Sequence, residues 1–339
     1  MPKITIISAC FNSSKYLEMA LNSVLKQTFN DYELIVVNDA STDSSAKILT
    51  NASISNKSIK IIDNYNNIGL AKSLNIAIDS SDSKYIARFD TDDLMYPERL
   101  STQVSYLESS DVGLLGSHIT TMGKFRRSKI TKYPTNDEAI RVQLLFQSAF
   151  AHPSTIFKRS ALADLRYNPE IQFAEDYDLW VRISQNTLMA NIDEPLLYYR
   201  KHEQQISRKK DQQNKDAGRI RLQALKQTKI NYTDEEASVH SRMRYSKAYD
   251  FKNDLIEAEA WLLKLMDYLN THTAKKHIKK EWFLCCIRSS HFGLWTWHYY
   301  TKSKLFNESI PQSNLQLKLL CISKVRYQSK VYNIIDSII

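Results

Sequence analysis

An apolar run at residues 4–8, built on Ile4, Ile6 and Ile7, predicts a strand close to the start of the chain. Leu17, Ala20, Leu21, Val24 and Leu25 then recur at helical spacing, so residues 12–27 predict an amphipathic helix with Asn12 or Ser13 as its N-cap. Residues 33–37 and 59–62 read as further strands, separated by a polar turn at 38–43 and a helical segment at 44–50. A helix around 71–79, a strand at 85–89, a helix from about 97 to 108 and a short apolar run at 112–115 continue the alternation. Strands alternating with helices imply an α/β fold with a mainly parallel, doubly wound sheet. Beyond about residue 207 the rhythm changes to long helical segments, one of them at 254–269 with Leu255, Ala258, Leu262, Leu263 and Leu265 marking one side. The expected organisation is an α/β domain over residues 1–207 and a basic, mainly helical region over 208–339, with the polar stretch 208–216 as a linker or an exposed helix start.

Composition narrows the function classes. The chain has 339 residues, 43% hydrophobic and 24% charged, which fits a globular protein and excludes bulk disorder or a polytopic membrane protein. None of its six glycines has the spacing of a Walker A loop or a dinucleotide fingerprint. Its four cysteines, Cys10, Cys285, Cys286 and Cys321, form no C-x-x-C pair, and residues 1–3 lead straight into the first strand without a secretory pattern. A reducing cytoplasm is the expected compartment, and any membrane contact is expected to be peripheral, because no apolar stretch has the length of a span. The net charge of +9 is segregated, with residues 1–207 carrying −2 and residues 208–339 carrying +11.

On a doubly wound sheet, ligands gather at the carboxyl ends of the strands, and polar residues cluster there. Residues 8–12 follow the first strand, 38–43 the second, and Asp90-Thr91-Asp92-Asp93 follows the strand at 85–89. Three carboxylates in four residues repel one another unless a cation or hydrogen-bond donors offset the charge. A hard divalent ion, Mg²⁺ or Mn²⁺, suits such ligands and normally completes its shell with phosphate oxygens and water. A nucleoside diphosphate is therefore the expected ligand, against the plainer alternative of a solvated acidic turn.

In this context the chain resembles the family 2 glycosyltransferases of the GT-A fold, from residue 4 to about residue 207. The motifs that carry the resemblance are Ile6-Ile7-Ser8-Ala9-Cys10-Phe11-Asn12, Gln27-Thr28-Phe29, the turn at 38–43, Asn67-Ile68-Gly69-Leu70 with Asn75, and the Asp90 to Asp93 cluster. Glu175-Asp176-Tyr177-Asp178 looks like the family's acidic motif, His152-Pro153-Ser154 like another of its stations, and the stretch 197–207 like the close of its catalytic domain. The resemblance implies a nucleotide-diphospho-sugar transferase fold and a nucleotide-sugar donor. It implies Asp176 as the general base that deprotonates the acceptor hydroxyl. It further implies a donor site drawn from Ser8, Asn12, Asp39, Asn67 and Asp90, with Asp92, Asp90 and His202 at the metal and Asp93, Glu175 and Arg200 in support. The opening lacks the family's common Pro-x-Tyr-Asn form, and Asn38-Asp39 stands where two acids are usual, which leaves Asp39 as the chief reader of base or ribose. A Gln-x-x-Arg-Trp sequence, a feature of processive members, is absent. A single sugar addition is expected.

The C-terminal region lies outside the resemblance. Lys275, Lys276, Lys279 and Lys280 precede a tract rich in aromatics, from Trp282 to Tyr300, and residues 271–339 hold 11 basic against 3 acidic side chains. Basic residues beside aromatics suit an anionic membrane surface; the plainer expectation is a helical subdomain with its aromatics packed inside. Family habit and this basic tail together suggest a lipid-linked glycan acceptor at the inner face of a cell membrane, and no nucleic acid partner is expected. A nucleotidyltransferase, or a non-catalytic basic surface-binding protein with a degenerate transferase domain, are the rival readings.

Overall fold

The computed structural model describes residues 1–123, 126–201, 210–245, 249–329 and 332. It divides into two compact units, residues 1–216 and 217–339.

The first unit is built on one mixed sheet. Strands β1 (Ile4–Cys10), β2 (Tyr32–Asn38), β3 (Ile59–Asp63) and β4 (Tyr85–Arg88) alternate with helices α1 (Ser14–Leu25), α2 (Ser45–Ser55) and α3 (Leu70–Asp79). They pair in parallel in the order β3-β2-β1-β4, with Ile4 in register with both Tyr32 and Tyr85. β1 and β2 are buried along almost their whole length, as a sheet covered on both faces requires. The α1 positions predicted to face inward, Leu17, Ala20, Leu21 and Val24, are buried.

Past β4 the sheet becomes mixed. It continues through β5 (Leu94–Met95), α4 (Arg99–Glu108), β6 (Val112–Gly123), β7 (Arg126–Thr131), α5 (Asp137–Leu144), a 3-10 turn at His152–Ser154, β8 (Ile156–Lys158), α6 (Arg159–Leu162), α7 (Glu175–Ile183) and β9 (Leu188–Arg200). Across the sheet the order runs β4-β8-β6-β9-β5, with β8 antiparallel to both neighbours, β6 and β9 parallel, and β7 on β6. The short run expected at 112–115 thus extends to Gly123. Its continuation is hidden from a periodicity reading because the β6–β9 register shifts between Ser117 and Ile119, so alternation is broken. Gly116 permits this pairing: a Cβ there would stand 2.1 Å from Asn191 Oδ1 and 2.7 Å from the Phe150 ring. Strands β1, β2 and β4 all end on one edge, and the loops after Cys10, Asn38 and Arg88 meet there.

The second unit is helical. The division falls inside α8 (Lys210–Lys226), so the described part of the 208–216 stretch, from Lys210, is the helix start of the two alternatives; residues 202–209 lie outside the described set. Then come α9 (Asp234–Arg242), α10 (Lys252–Leu269), α11 (His272–Arg288), α12 (Leu294–Lys302) and α13 (Pro311–Ile322). Asn270 takes the left-handed conformation at the end of α10, and Thr271 Oγ1 accepts the Ala274 N–H at 3.1 Å to open α11. Trp282, Phe283 and Tyr300 of the aromatic tract are buried in the core of this unit, as is Trp261 on α10, while Phe292, Trp295, Trp297 and Tyr299 are half-buried. Among the described residues, no helix is long and apolar enough to cross a membrane.

Candidate active site

The strand-end loops enclose a cavity of about 1060 Å³ lined by residues from both halves of the first unit. Asp90 and Asp92 line one part, Asp39 and Asn67 another, and Glu175 and Asp176 a third.

The acidic loop is held from beneath. Arg88, fully buried at the end of β4, donates from Nη2 to Asp90 Oδ1 at 2.5 Å and from Nη1 to its neighbour's carbonyl at Phe89. Arg99 Nη2 in turn donates to the Arg88 carbonyl at 2.8 Å. Arg200, at the end of β9, donates its backbone N–H to Asp93 Oδ1 and its Nε to the Asp92 carbonyl, both at 2.8 Å. Thr91 ties the loop to the start of α1 through Ser13 Oγ at 2.8 Å. Carboxylate oxygens of Asp90, Asp92 and Asp93 lie within 4.8 Å of one another. Asp93 Oδ2 is buried with no hydrogen bond, and burial, then the charges of Asp90 and Asp92, push this carboxyl well above the usual carboxylate range. Hard oxygen donors set this close, two half-buried and one, Asp93, buried with an unpartnered oxygen, are what a divalent cation would relieve, so these residues fit Mg²⁺ or Mn²⁺.

On the nucleoside side, Asp39 is 3% exposed and already well used. Its Oδ1 accepts from Asn64 Nδ2 at 2.8 Å and from the Ile68 N–H at 2.9 Å, while Oδ2 accepts from the Gly69 N–H at 2.9 Å. Asp39 therefore anchors the loop that opens α3, and Oδ2 keeps capacity for a further donor. Asn67 Nδ2 donates to the Asp39 carbonyl at 3.3 Å. Asn12, at φ 50°, turns its Oδ1 onto the Thr42 N–H at 2.8 Å and so laces the first loop to the second. Ser8 is not among the cavity-lining residues; it sits in β1 with its hydroxyl buried and unpartnered.

Glu175 and Asp176 open α7, where the helix N-terminus favours negative charge. Burial, followed by the charge of Asp176, raises Glu175 to about 8. Burial also raises Asp176, partly offset by hydrogen bonds that include the Ser148 hydroxyl, 3.4 Å from Oδ2. His152 lines the cavity and pairs its Nε2 with the Tyr167 hydroxyl at 2.9 Å; burial and then Arg88 lower its pKa well below the ordinary value, which keeps the ring neutral. His202 lies outside the described residues.

Sequence reasoning missed Arg88 and Tyr133; Tyr199 and Lys201, inside the stretch 197–207, line the cavity without having been given a role. Arg88 carried a legible signal, a charge inside a strand otherwise read as buried. Tyr133 lines the cavity, and burial followed by the Asp176 charge pushes its phenol up to about 12. It stands in no motif, and only the fold brings it there.

Comparison with known proteins agrees with this arrangement. The family described as Glycosyl transferase family 2 matches residues 5–166. An uncharacterized glycosyltransferase of Haemophilus influenzae is 31% identical over 243 residues, covering 66% of this chain and 73% of that protein. The O-antigen biosynthesis glycosyltransferase WbnJ of Escherichia coli is 34% identical over 207 residues, covering 59% and 80%. One match is partial: the chain spans 31% of the bifunctional glycosyltransferase pgtA of Dictyostelium discoideum. In fold, residues 1–349 of S. aureus TarS in complex with UDP-GlcNAc superpose with a TM-score of 0.58 at 18% identity, covering 96% of this chain and 93% of that one. A Pyrobaculum calidifontis mannosyltransferase in complex with GDP-Man and Mn²⁺ gives 0.52 at 15% identity, covering 94% and 87%. The ordered strand-end motifs, the acid cluster and these relatives lead to one conclusion: the chain belongs to the family 2 glycosyltransferases, with a GT-A-type α/β domain followed by a helical region.

Proposed function

We propose that this protein is a metal-dependent, inverting hexosyltransferase that moves one sugar from a nucleotide donor, a UDP-hexose, to a hydroxyl of a lipid-linked glycan during assembly of a bacterial surface polysaccharide. The observation that carries the reading is that the Asp90–Asp92 loop and Asp176 line one cavity. The WbnJ and TarS names support polysaccharide work and a UDP-linked donor.

Asp39, through the spare capacity of Oδ2, accepts from the base or ribose, with Asn12 and Asn67 shaping that end of the site; Ser8, buried in β1 off the cavity, supports the strand beneath it. Asp90 and Asp92, with His202, would hold Mg²⁺ or Mn²⁺, and Asp93 would support them. When bound, the cation neutralises charge building on the departing diphosphate. Arg200 steadies the acid loop through Asp92. Asp176 takes the proton from the acceptor hydroxyl as that oxygen forms its bond to the anomeric carbon; the bond from carbon to diphosphate breaks, and its electron pair leaves with the nucleoside diphosphate. One base and one stabilised leaving group suffice for a single in-line displacement, and this inverts the anomeric centre. Glu175 carries its proton near neutral pH and limits repulsion beside Asp176. Residues 1–207 act as the catalytic domain, and the basic residues 208–339 hold the enzyme at the inner face of the membrane, where the acceptor resides.

The test is a screen of UDP-sugars for Mn²⁺-dependent release of UDP. EDTA should abolish it, Mn²⁺ or Mg²⁺ should restore it, and Asp92→Asn should nearly eliminate it with the fold intact. Full turnover in excess chelator would overturn the metal assignment. Release of diphosphate from a nucleoside triphosphate would identify a nucleotidyltransferase instead.

A further inference from the structure

Helix α13 carries Leu315, Leu319 and Ile322 at positions i, i+4 and i+7, with 56%, 39% and 55% of their surfaces exposed. The other exposed large hydrophobics among the described residues do not form such a helical set. The opposite side of α13 buries Leu317, Leu320 and Cys321 in the helical unit, so the stripe is the outward face of an anchored helix. Cations flank it along the chain, and the nearest acid in sequence is the exposed Glu308 ahead of the helix. Lys318, Lys324 and Arg326 are exposed, and residues 309–329 contain no acid. Lys318 Nζ lies 5.8 Å from the ring centre of Trp297 on α12, a half-buried indole, so the stripe is bordered by a cation and an amphipathic aromatic.

The geometry points to this face of α13 as a membrane-docking surface that inserts Leu315, Leu319 and Ile322 among the acyl chains of an anionic lipid layer while Lys318, Lys324 and Arg326 meet the headgroups. Long basic side chains extend their charge to headgroup level while branched apolar residues enter the layer beside them. A second copy of the chain is a poorer occupant, because a self-complementary contact would set three cations against three cations without an acid. Nucleic acid would answer the charge and leave the apolar stripe wet.

This inference rests on the reading of a lipid-linked acceptor and replaces a general basic tail with a defined face. The full chain is sedimented with vesicles of phosphatidylcholine alone, and of phosphatidylcholine with one quarter phosphatidylglycerol, across a salt series. Wild type should bind the anionic vesicles and lose binding as salt rises. L315S/L319S/I322S should weaken that binding roughly tenfold or more, with an unchanged melting curve. K318Q/K324Q/R326Q should lose the preference for anionic over neutral vesicles. Equal vesicle binding by wild type and the apolar variant, or no binding by wild type, overturns the proposal. So does a concentration-dependent oligomer of wild type that the apolar variant abolishes. UDP release from UDP-GlcNAc with Mn²⁺ is measured in the same preparations without vesicles: its failure counts against the transferase reading, and the vesicle result counts separately against the docking face.

Discussion

Two adjacent acids opening α7 are asked to behave differently, and their surroundings explain how. Glu175 is 8% exposed, and burial with the neighbouring Asp176 charge raises it to about 8. Asp176 is raised as well, yet the Ser148 hydroxyl and the Tyr177 amide hold its charged form. Asp176→Asn should therefore retain UDP-sugar binding by calorimetry while turnover falls about 10²–10⁴-fold, the contribution of a positioned general base. Equal losses of affinity and turnover would make it a binding residue. Glu175 has a second consequence, for stability. Its folded value near 8 stands above the ordinary 4.5, so the unfolded chain releases this proton first as pH rises. The burden is absent below about pH 4.5, grows up to about pH 8 and is constant above that. Glu175→Gln should melt like wild type at the acid end and several degrees higher than wild type at pH 8. Parallel melting curves across the whole range would show that this carboxyl is not held neutral by the fold.

The elements that were legible in the sequence are those whose burial follows one period. β1 to β4, α1, α3 and α4 recur within a residue or two of their expected limits, because apolar runs and helical stripes there record a sheet covered on both faces; α2 starts where expected but runs on to Ser55, five residues past the segment read as 44–50. β5 and β7 to β9 were not legible. β8 is three residues long, β5 only two, and β9 passes through Asn191, Asp193, Glu194 and Pro195, where no alternation survives. The same split holds in the site: Asp39, Asp90, Asp92, Glu175 and Asp176 lie on the cavity while Asp93 and Asp178 are buried off it, and the internal duties of Asp39 and Asn12 come from loop geometry that spacing cannot express. Asp39 works as a cap supplied from another element, its carboxylate receiving the Ile68 and Gly69 N–H groups just ahead of α3. Asp39→Asn puts an amide donor where one of those N–H groups needs an acceptor. The variant should lose about 1–3 kcal/mol in urea unfolding and weaken donor binding as the loop loosens. Full stability with selective loss of UDP affinity would make Asp39 a ligand residue alone.

At the scale of the whole molecule, charge and apolar surface are arranged differently, and the two should act at different stages of membrane encounter. Residues 208–339 carry +11, and Lys275, Lys276 and Lys280 on α11 are exposed with Lys279 partly so. Trp282, which follows them, is buried, so this part of α11 offers charge without an adjacent indole to insert. Long-range attraction to an anionic surface raises the encounter rate and fades with added salt, each lysine near the surface contributing about 1 kcal/mol. Short-range burial of an apolar stripe governs escape once contact is made. Replacing Lys275, Lys276, Lys279 and Lys280 with Gln should slow association with phosphatidylglycerol vesicles several-fold at low salt and leave dissociation nearly unchanged. The α13 variant L315S/L319S/I322S should do the reverse. Stopped-flow association and dilution-triggered dissociation separate the two rates. If the lysine variant changed only dissociation, α11 would itself lie in the contact, and the division of labour between the two helices would be wrong.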